Sequence, residues 1–160
     1  MAEKRELAGE LYLLGELDFT TGERTHLVKI GVVKENDEKN RSTEKRIKEL
    51  KWSKRLLILD TTTAKAQDLR TEIDRNIAAW RDRDLHLVLL DGEQVGGEEA
   101  NQDASVWRKK FRLAQEGAVL VGKDGGVKER WSVAPRLQEI FDLVDAMPMR
   151  QRELRDATND

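Results

Sequence analysis

Hydrophobic positions along this chain alternate between short continuous runs and helically spaced stripes, the pattern of sheet strands covered by amphipathic helices. Leu11 to Leu14 form the first run and Leu27 to Val33, with several β-branched residues, the second. With the turn-like stretch Asp18 to Arg24 between them, they predict a pair of strands. Glu35 to Arg41 is charged and Asn-containing and predicts a loop. Ser42 then caps a short helix, with Glu44 in its first turn and Ile47 and Leu50 at helical spacing before Trp52. No Gly/Ser linker marks the boundary near residue 53.

From Arg55 the apolar run Leu56 to Leu59 predicts a central strand covered on both faces. Thr61, Thr62 and Thr63 lead into a long helix whose Leu69, Ile73, Ile77 and Trp80 lie on one stripe. Leu85 to Leu90 follows as a second strand, parallel to the first through a right-handed crossover. Glu93 to Ala104, rich in Gly, Glu, Asn and Asp, predicts a solvated loop before Ser105 caps a helix carrying Trp107 and Phe111. Ala118 to Val121 and Val127 to Trp131 flank Lys123-Asp124-Gly125-Gly126 and predict an antiparallel hairpin. Pro135 opens a helix bearing Leu137, Ile140, Phe141 and Val144, which ends before Pro148; a polar tail is expected beyond Arg150. The early strand pair is expected to join the later sheet, since about 50 residues bury little area alone.

Composition narrows the chemistry. The 160 residues are 38% hydrophobic and 38% charged, enough apolar content for one core. A net charge of −2 removes any broad electrostatic case for nucleic acid or anionic membrane. The exception is Lys39 to Lys51, where six cations face only Glu44 and Glu49. With no cysteine there is no disulfide, thiolate nucleophile or Cys-ligated zinc. His26 and His86 alone predict no metal site. The charged start and the lack of any run of about 20 apolar residues predict a soluble, cytoplasmic chain with no membrane partner.

The order strand, helix, strand, helix, strand, strand, helix is thioredoxin-like. Four stretches make a resemblance specific: Arg81 to Leu85 (RDRDL), Trp107 to Leu113 (WRKKFRL), Val121 to Lys128 (VGKDGGVK) and Ile140 to Arg150 (IFDLVDAMPMR). Together they resemble the DUDES-related family of unknown function, over Arg55 to about Arg155. The resemblance implies an α/β, thioredoxin-like mixed sheet flanked by helices, preceded here by an N-terminal strand-strand-helix extension. Thr61-Thr62-Thr63-Ala64-Lys65 occupies the position where a thioredoxin carries its cysteine pair, and Gln115-Glu116-Gly117 lacks the proline placed opposite it. The expected organisation is an extension over residues 1–52, a thioredoxin-like domain over 53–155 and a polar tail over 156–160.

Leu11 to Leu14, Val28-Lys29-Ile30-Gly31 and Glu44 to Leu50 resemble the start of a GIY-YIG nuclease over residues 10–80. That resemblance implies Tyr12 and Arg46 as catalytic residues and Glu72 as the ligand of one divalent cation such as magnesium, with Lys29 in place of the second strand tyrosine. A carboxylate-held cation, a phenol and a guanidinium would together neutralise charge on a phosphate. Each of the three also reads as an ordinary residue: Tyr12 in the rim of a strand, Arg46 among solvated lysines, Glu72 beside Asp68, Arg70 and Asp74 on a charged helix.

Three functions follow. The first is a redox-silent thioredoxin-fold binding or scaffolding module with a protein partner and no cofactor. The second is a metal-dependent nuclease or nucleic-acid-binding protein. The third is a fused or artificial chain with no selected activity, given two family-like halves that overlap on one strand and helix.

Overall fold

A computed structural model describes the backbone of residues 2–7, 11–16 and 30–159 and the side chains of residues 36–159. The chain divides into two units, Met1–Ser42 and Thr43–Asp160. In the first, β1 (Ala2–Leu7) pairs antiparallel with β2 (Leu11–Glu16), Leu7 opposite Leu11 and Glu6 opposite Tyr12. Among the described residues the two strands form a sheet of their own and pair with no strand of the later one, contrary to the sequence expectation. The strand predicted on Leu27 to Val33 is also corrected: the chain is helical from Ile30, in α1 (Ile30–Leu50). Pairing β2 with the nearer run closes a shorter loop and loses less chain entropy. The predicted loop Glu35 to Arg41 is helical too, since residues 32–50 contain no Gly or Pro and many Glu, Lys and Arg. Asp18 to Arg24, His26 and Leu27 to Lys29 lie outside the described residues.

The second unit contains a five-stranded sheet of order β5-β4-β3-β6-β7. Its centre is β3 (Arg55–Asp60), every residue of which is buried. It runs parallel to β4 (Leu85–Asp91), with Leu57 beside Leu87, and antiparallel to β6 (Ala118–Val121), which pairs with β7 (Val127–Trp131). This mixed sheet, with a parallel pair formed first and an antiparallel hairpin last, is thioredoxin-like. Gly125, at φ +80, makes the predicted hairpin turn. The strand β5 (Gln94–Gly96) and a 3-10 turn at Gly97–Glu99 replace the predicted solvated loop. Val95 opposite Leu90 and the buried Glu99 tie this stretch down.

Alternation along the strands divides the core. On one face Leu57, Leu59, Leu89 and Leu120 meet α2 (Gln67–Arg75), α3 (Ile77–Asp82) and α5 (Leu137–Asp145), which contribute Leu69, Ile73, Trp80, Ile140 and Phe141. On the other, Leu56, Ile58, Val88 and Val119 meet the end of α1 and α4 (Ala104–Phe111), through Ile47, Leu50, Trp107 and Phe111. Each fully buried Leu or Ile contributes about 1.5–3 kcal/mol. The single long helix predicted after Thr63 is two helices. Asn76 ends α2 because its side-chain amide and its own N–H both donate to the Glu72 carbonyl. Asp103, not Ser105, caps α4 by accepting the Ser105 N–H at 2.8 Å.

Beyond Arg150 the expected tail is the helix α6 (Pro148–Thr158), with Pro148 at its start. Charge holds it in place. The buried Arg55 guanidinium donates to the Arg83 carbonyl at 2.9 Å and to both Glu153 carboxylate oxygens at 3.1 Å. Lys123 bridges Asp84 and Glu153, each at 2.7 Å. Arg150 bonds the Asp82 side chain and carbonyl, and Arg83 grips Asp145 while lying 4.3 Å from the Phe141 ring centre. These groups clasp the end of the sheet at which β3 and β4 begin. Among the described residues, no helix is long and apolar enough to cross a membrane.

Candidate functional site

The opposite end of the sheet, where β3 and β4 finish, is the end at which ligands bind on open α/β sheets. Both strands end on a carboxylate, Asp60 and Asp91. Between them and the segment that precedes β6 lies a cleft of about 530 Å³, bordered by Thr61, Thr62, Arg108, Gln115 and Glu116. The frame is set by the backbone: the Asp60 N–H donates to the Gly117 carbonyl at 2.9 Å and the Thr61 N–H to the Leu90 carbonyl at 3.0 Å.

Arg108 crosses the cleft from α4. Its Nε donates to Asp60 Oδ2 at 2.6 Å, and its Nη2 donates to Asp60 Oδ1 at 3.1 Å and to the Gly92 carbonyl at 2.6 Å. This forked geometry suits a guanidinium and a largely buried carboxylate. The hydrogen bond to Asp60 also raises the Arg108 pKa above its ordinary value, so the guanidinium stays charged. On the other strand, Asp91 Oδ2 accepts the Thr63 N–H and the Thr63 hydroxyl, both at 2.8 Å. The backbone bond first and the hydroxyl second hold the Asp91 carboxyl below its ordinary value. Asp91 thereby clamps Thr63 through its backbone and its hydroxyl at once. Lys65 and Glu116 pair across the solvent side, with Glu116 in left-handed backbone at φ +59.

Thr61, Thr62 and Thr63 therefore occupy the loop between the first strand and helix of the thioredoxin-like unit, and with no cysteine in the sequence no thiol chemistry stands on this fold. Among the described residues, no three His, Asp or Glu side chains group as metal ligands. The cleft instead offers hydroxyl and amide groups from Thr61, Thr62 and Gln115, beside neutralised ion pairs and the apolar edge of Leu113.

Of the residues picked out by the nuclease resemblance, Arg46 and Glu72 do not border this cleft. Tyr12 stands on β2, and its side chain lies outside the described residues. Arg46, on α1, is bonded to the buried Glu99: Nε lies 3.0 and 3.1 Å from the two carboxylate oxygens and Nη2 2.8 Å from one. Glu99 also meets His86 Nε2 at 3.1 Å. The hydrogen bond that Arg46 donates to Glu99 is the main reason that its pKa is raised. Glu72 is exposed on α2. The end of α1 and α2 cover opposite faces of the sheet, so Arg46 and Glu72 are not brought together. Spacing along the chain missed Asp60, Asp91, Arg108 and Glu99. The first two carried a usable signal, an aspartate closing each parallel apolar run at the ligand-binding end of such sheets.

No curated protein matches the chain significantly. Among solved structures, thioredoxin peroxidase I of Plasmodium yoelii aligns at 17% identity over 66% of this chain and 79% of that one, with a TM-score of 0.44. Residues 46–153 match a protein family, from the last turns of α1 to the middle of α6. On that match the chain belongs to the family described as a domain of unknown function, DUF4174.

Proposed function

We propose that this chain is a redox-silent binding or scaffolding module that uses the end of a thioredoxin-like sheet for recognition instead of thiol exchange. One observation carries the reading: Thr61-Thr62-Thr63 stands between the first strand and helix, where redox relatives of this fold place their thiols, and is clamped by Asp91. Of the charged groups bordering that loop, Asp60 is paired with Arg108 and Glu116 with Lys65, whereas Asp91 is bonded to the neutral Thr63 and Glu93 has no ion pair among the described residues. Beside these two carboxylates a ligand meets the hydroxyls of Thr61 and Thr62 and the amide of Gln115, hydrogen-bonding groups that suit a stretch of polypeptide backbone. The motif resemblance to DUDES-related modules supports the same reading. The nuclease alternative has no such support, since Arg46 is occupied by Glu99 and lies across the sheet from Glu72.

The test is insulin reduction in the presence of dithiothreitol, run beside hydrogen peroxide turnover, over a range of concentrations of the purified chain. Rates should equal the protein-free blank throughout. Dose-dependent activity that co-purifies with the chain overturns the proposal.

A further inference from the structure

The edge of the sheet carries a second recognition surface, and its floor is the first half of β4. Hydrogen bonds from the Arg55 N–H to the Asp84 carbonyl and from the Thr61 N–H to the Leu90 carbonyl set the parity of β4. Asp84, His86, Val88 and Leu90 turn their backbone groups toward β3, and Leu85, Leu87, Leu89 and Asp91 turn theirs outward. β5 pairs only with Leu89 to Asp91, and the chain then leaves the sheet at Gly97. Among the described residues, the outward N–H and C=O of Leu87 thus meet no backbone partner and no strand continues this edge of the sheet. Folded proteins usually cover such an edge or block it with proline or an inward-pointing charge.

Beside this open edge lies a cavity of about 370 Å³. Its apolar wall is Ile73, Ile77 and Trp80 from α2 and α3 with Leu87 and Leu89, and Ile77 remains 37% exposed. Its charged rim is Lys54, Arg70 and Arg81 against Asp74 and Glu98. Glu98 faces His86 Nδ1 at 3.6 Å, and Lys54 lies 3.8 Å from Asp84. Arg70, Arg81 and Asp74 carry no ion pair among the described residues, so two cations against one carboxylate are left to meet an incoming group.

We propose that the open half of β4 takes an extended acidic peptide of a partner protein as an added strand. The peptide backbone pairs with Leu87, one apolar side chain enters the cavity against Ile73, Ile77 and Trp80, and flanking carboxylates meet Arg70 and Arg81. Strand addition supplies affinity through main-chain hydrogen bonds and selectivity through alternate side chains, and this site provides for both. The proposal names a partner class for the binding role given above and rests on that role.

The test uses the full chain, two synthetic peptides and amide hydrogen exchange read by NMR. The probes are an acetylated Glu-Val-Glu-Val-Glu amide and its sign-reversed counterpart with Lys for Glu. The acidic peptide should slow exchange at the Leu87 amide by about tenfold or more while leaving the β3 amides unchanged, and the basic peptide should not. Joint substitution Arg70→Glu and Arg81→Glu should abolish that protection. Leu87→Pro should abolish it too, by removing an N–H that the β3 ladder does not use; the charge-reversal variant decides the matter if the proline variant fails to fold. Absence of protection with either peptide, or equal protection with both, overturns the proposal. So does protection of Leu87 in the free chain that grows with protein concentration together with dimer formation in sedimentation, since a second copy would then be the occupant. These outcomes leave the insulin and peroxide assays unaffected, so the two readings fail separately.

Discussion

The two ends of the five-stranded sheet use the same materials for different purposes. Where β3 and β4 begin, Arg55 is 1% exposed and is linked with Glu153, Lys123, Asp84, Arg150, Asp82, Arg83 and Asp145 in one connected network. Where they finish, the ion pair Asp60–Arg108 borders an open cleft and the Asp91–Thr63 clamp lies in solvent. Residues of three of the four motifs singled out in the sequence sit at the first end: Asp82, Arg83 and Asp84, then Lys123, then Asp145 and Arg150. Only the fourth motif reaches the cleft, through Arg108. The most recognisable stretches of this sequence therefore record how α6 is fastened to the sheet, and say little about what the cleft binds.

The comparison breaks if the two ends respond alike to loss of one charge. Arg55→Met should have the largest effect, about 3 kcal/mol of stability, because it removes a buried guanidinium from both the Arg83 carbonyl and Glu153, which keeps only Lys123 and Arg150 as cationic neighbours. Urea unfolding followed by tryptophan fluorescence measures this, with the slope unchanged if the variant remains two-state. Asp60→Asn at the cleft should cost less, about 1.5–3 kcal/mol, since Arg108 keeps the Gly92 carbonyl and has solvent beside it. A larger loss from Asp60→Asn than from Arg55→Met would reverse the assignment of clasp and cleft.

The central strands, the hairpin and the apolar stripes of α2, α4 and α5 were legible because each obeys a single period, as in Leu56 to Leu59 or Leu137, Ile140 and Val144. β5 was not, since three residues carry no period and only Val95 marks it as buried. α6 was hidden because its sequence is polar and its hold comes from Arg150 and Glu153, whose partners are 30 to 98 positions away. The same distance hides the candidate site. Asp60 and Arg108 are 48 positions apart, and Thr63 and Asp91 are 28 apart, so their meeting depends on the crossover topology and not on local spacing. Arg46 shows the converse: read locally it belongs to a basic helix face, but 53 positions on it finds the buried carboxylate of Glu99.

The smallest expected effect sharpens the comparison through pH. Burial alone would push the Glu153 carboxyl up, but the hydrogen bond from Lys123 and the charge and hydrogen bonds of Arg55 outweigh it and leave the group below its ordinary 4.5. A carboxyl with a depressed folded-state pKa contributes stability that is present above its unfolded value and is lost as pH falls through the folded value. The clasp should therefore loosen only below pH 4.5, in the window between the unfolded and folded values of Glu153. Lys123 moves the other way. Its burial, which lowers its pKa, is outweighed by Asp84 and Glu153, so its folded value lies above 10.5 and its contribution is lost only as pH rises through that higher value. Substituting Glu153→Gln should lower stability at neutral pH and flatten its decline over the acid window, as read from urea midpoints at successive pH values. The same series with Asp60→Asn should retain the acid decline due to Glu153, because Asp60 belongs to the other end of the sheet. An acid decline that survives Glu153→Gln unchanged would mean that the clasp is not what titrates there.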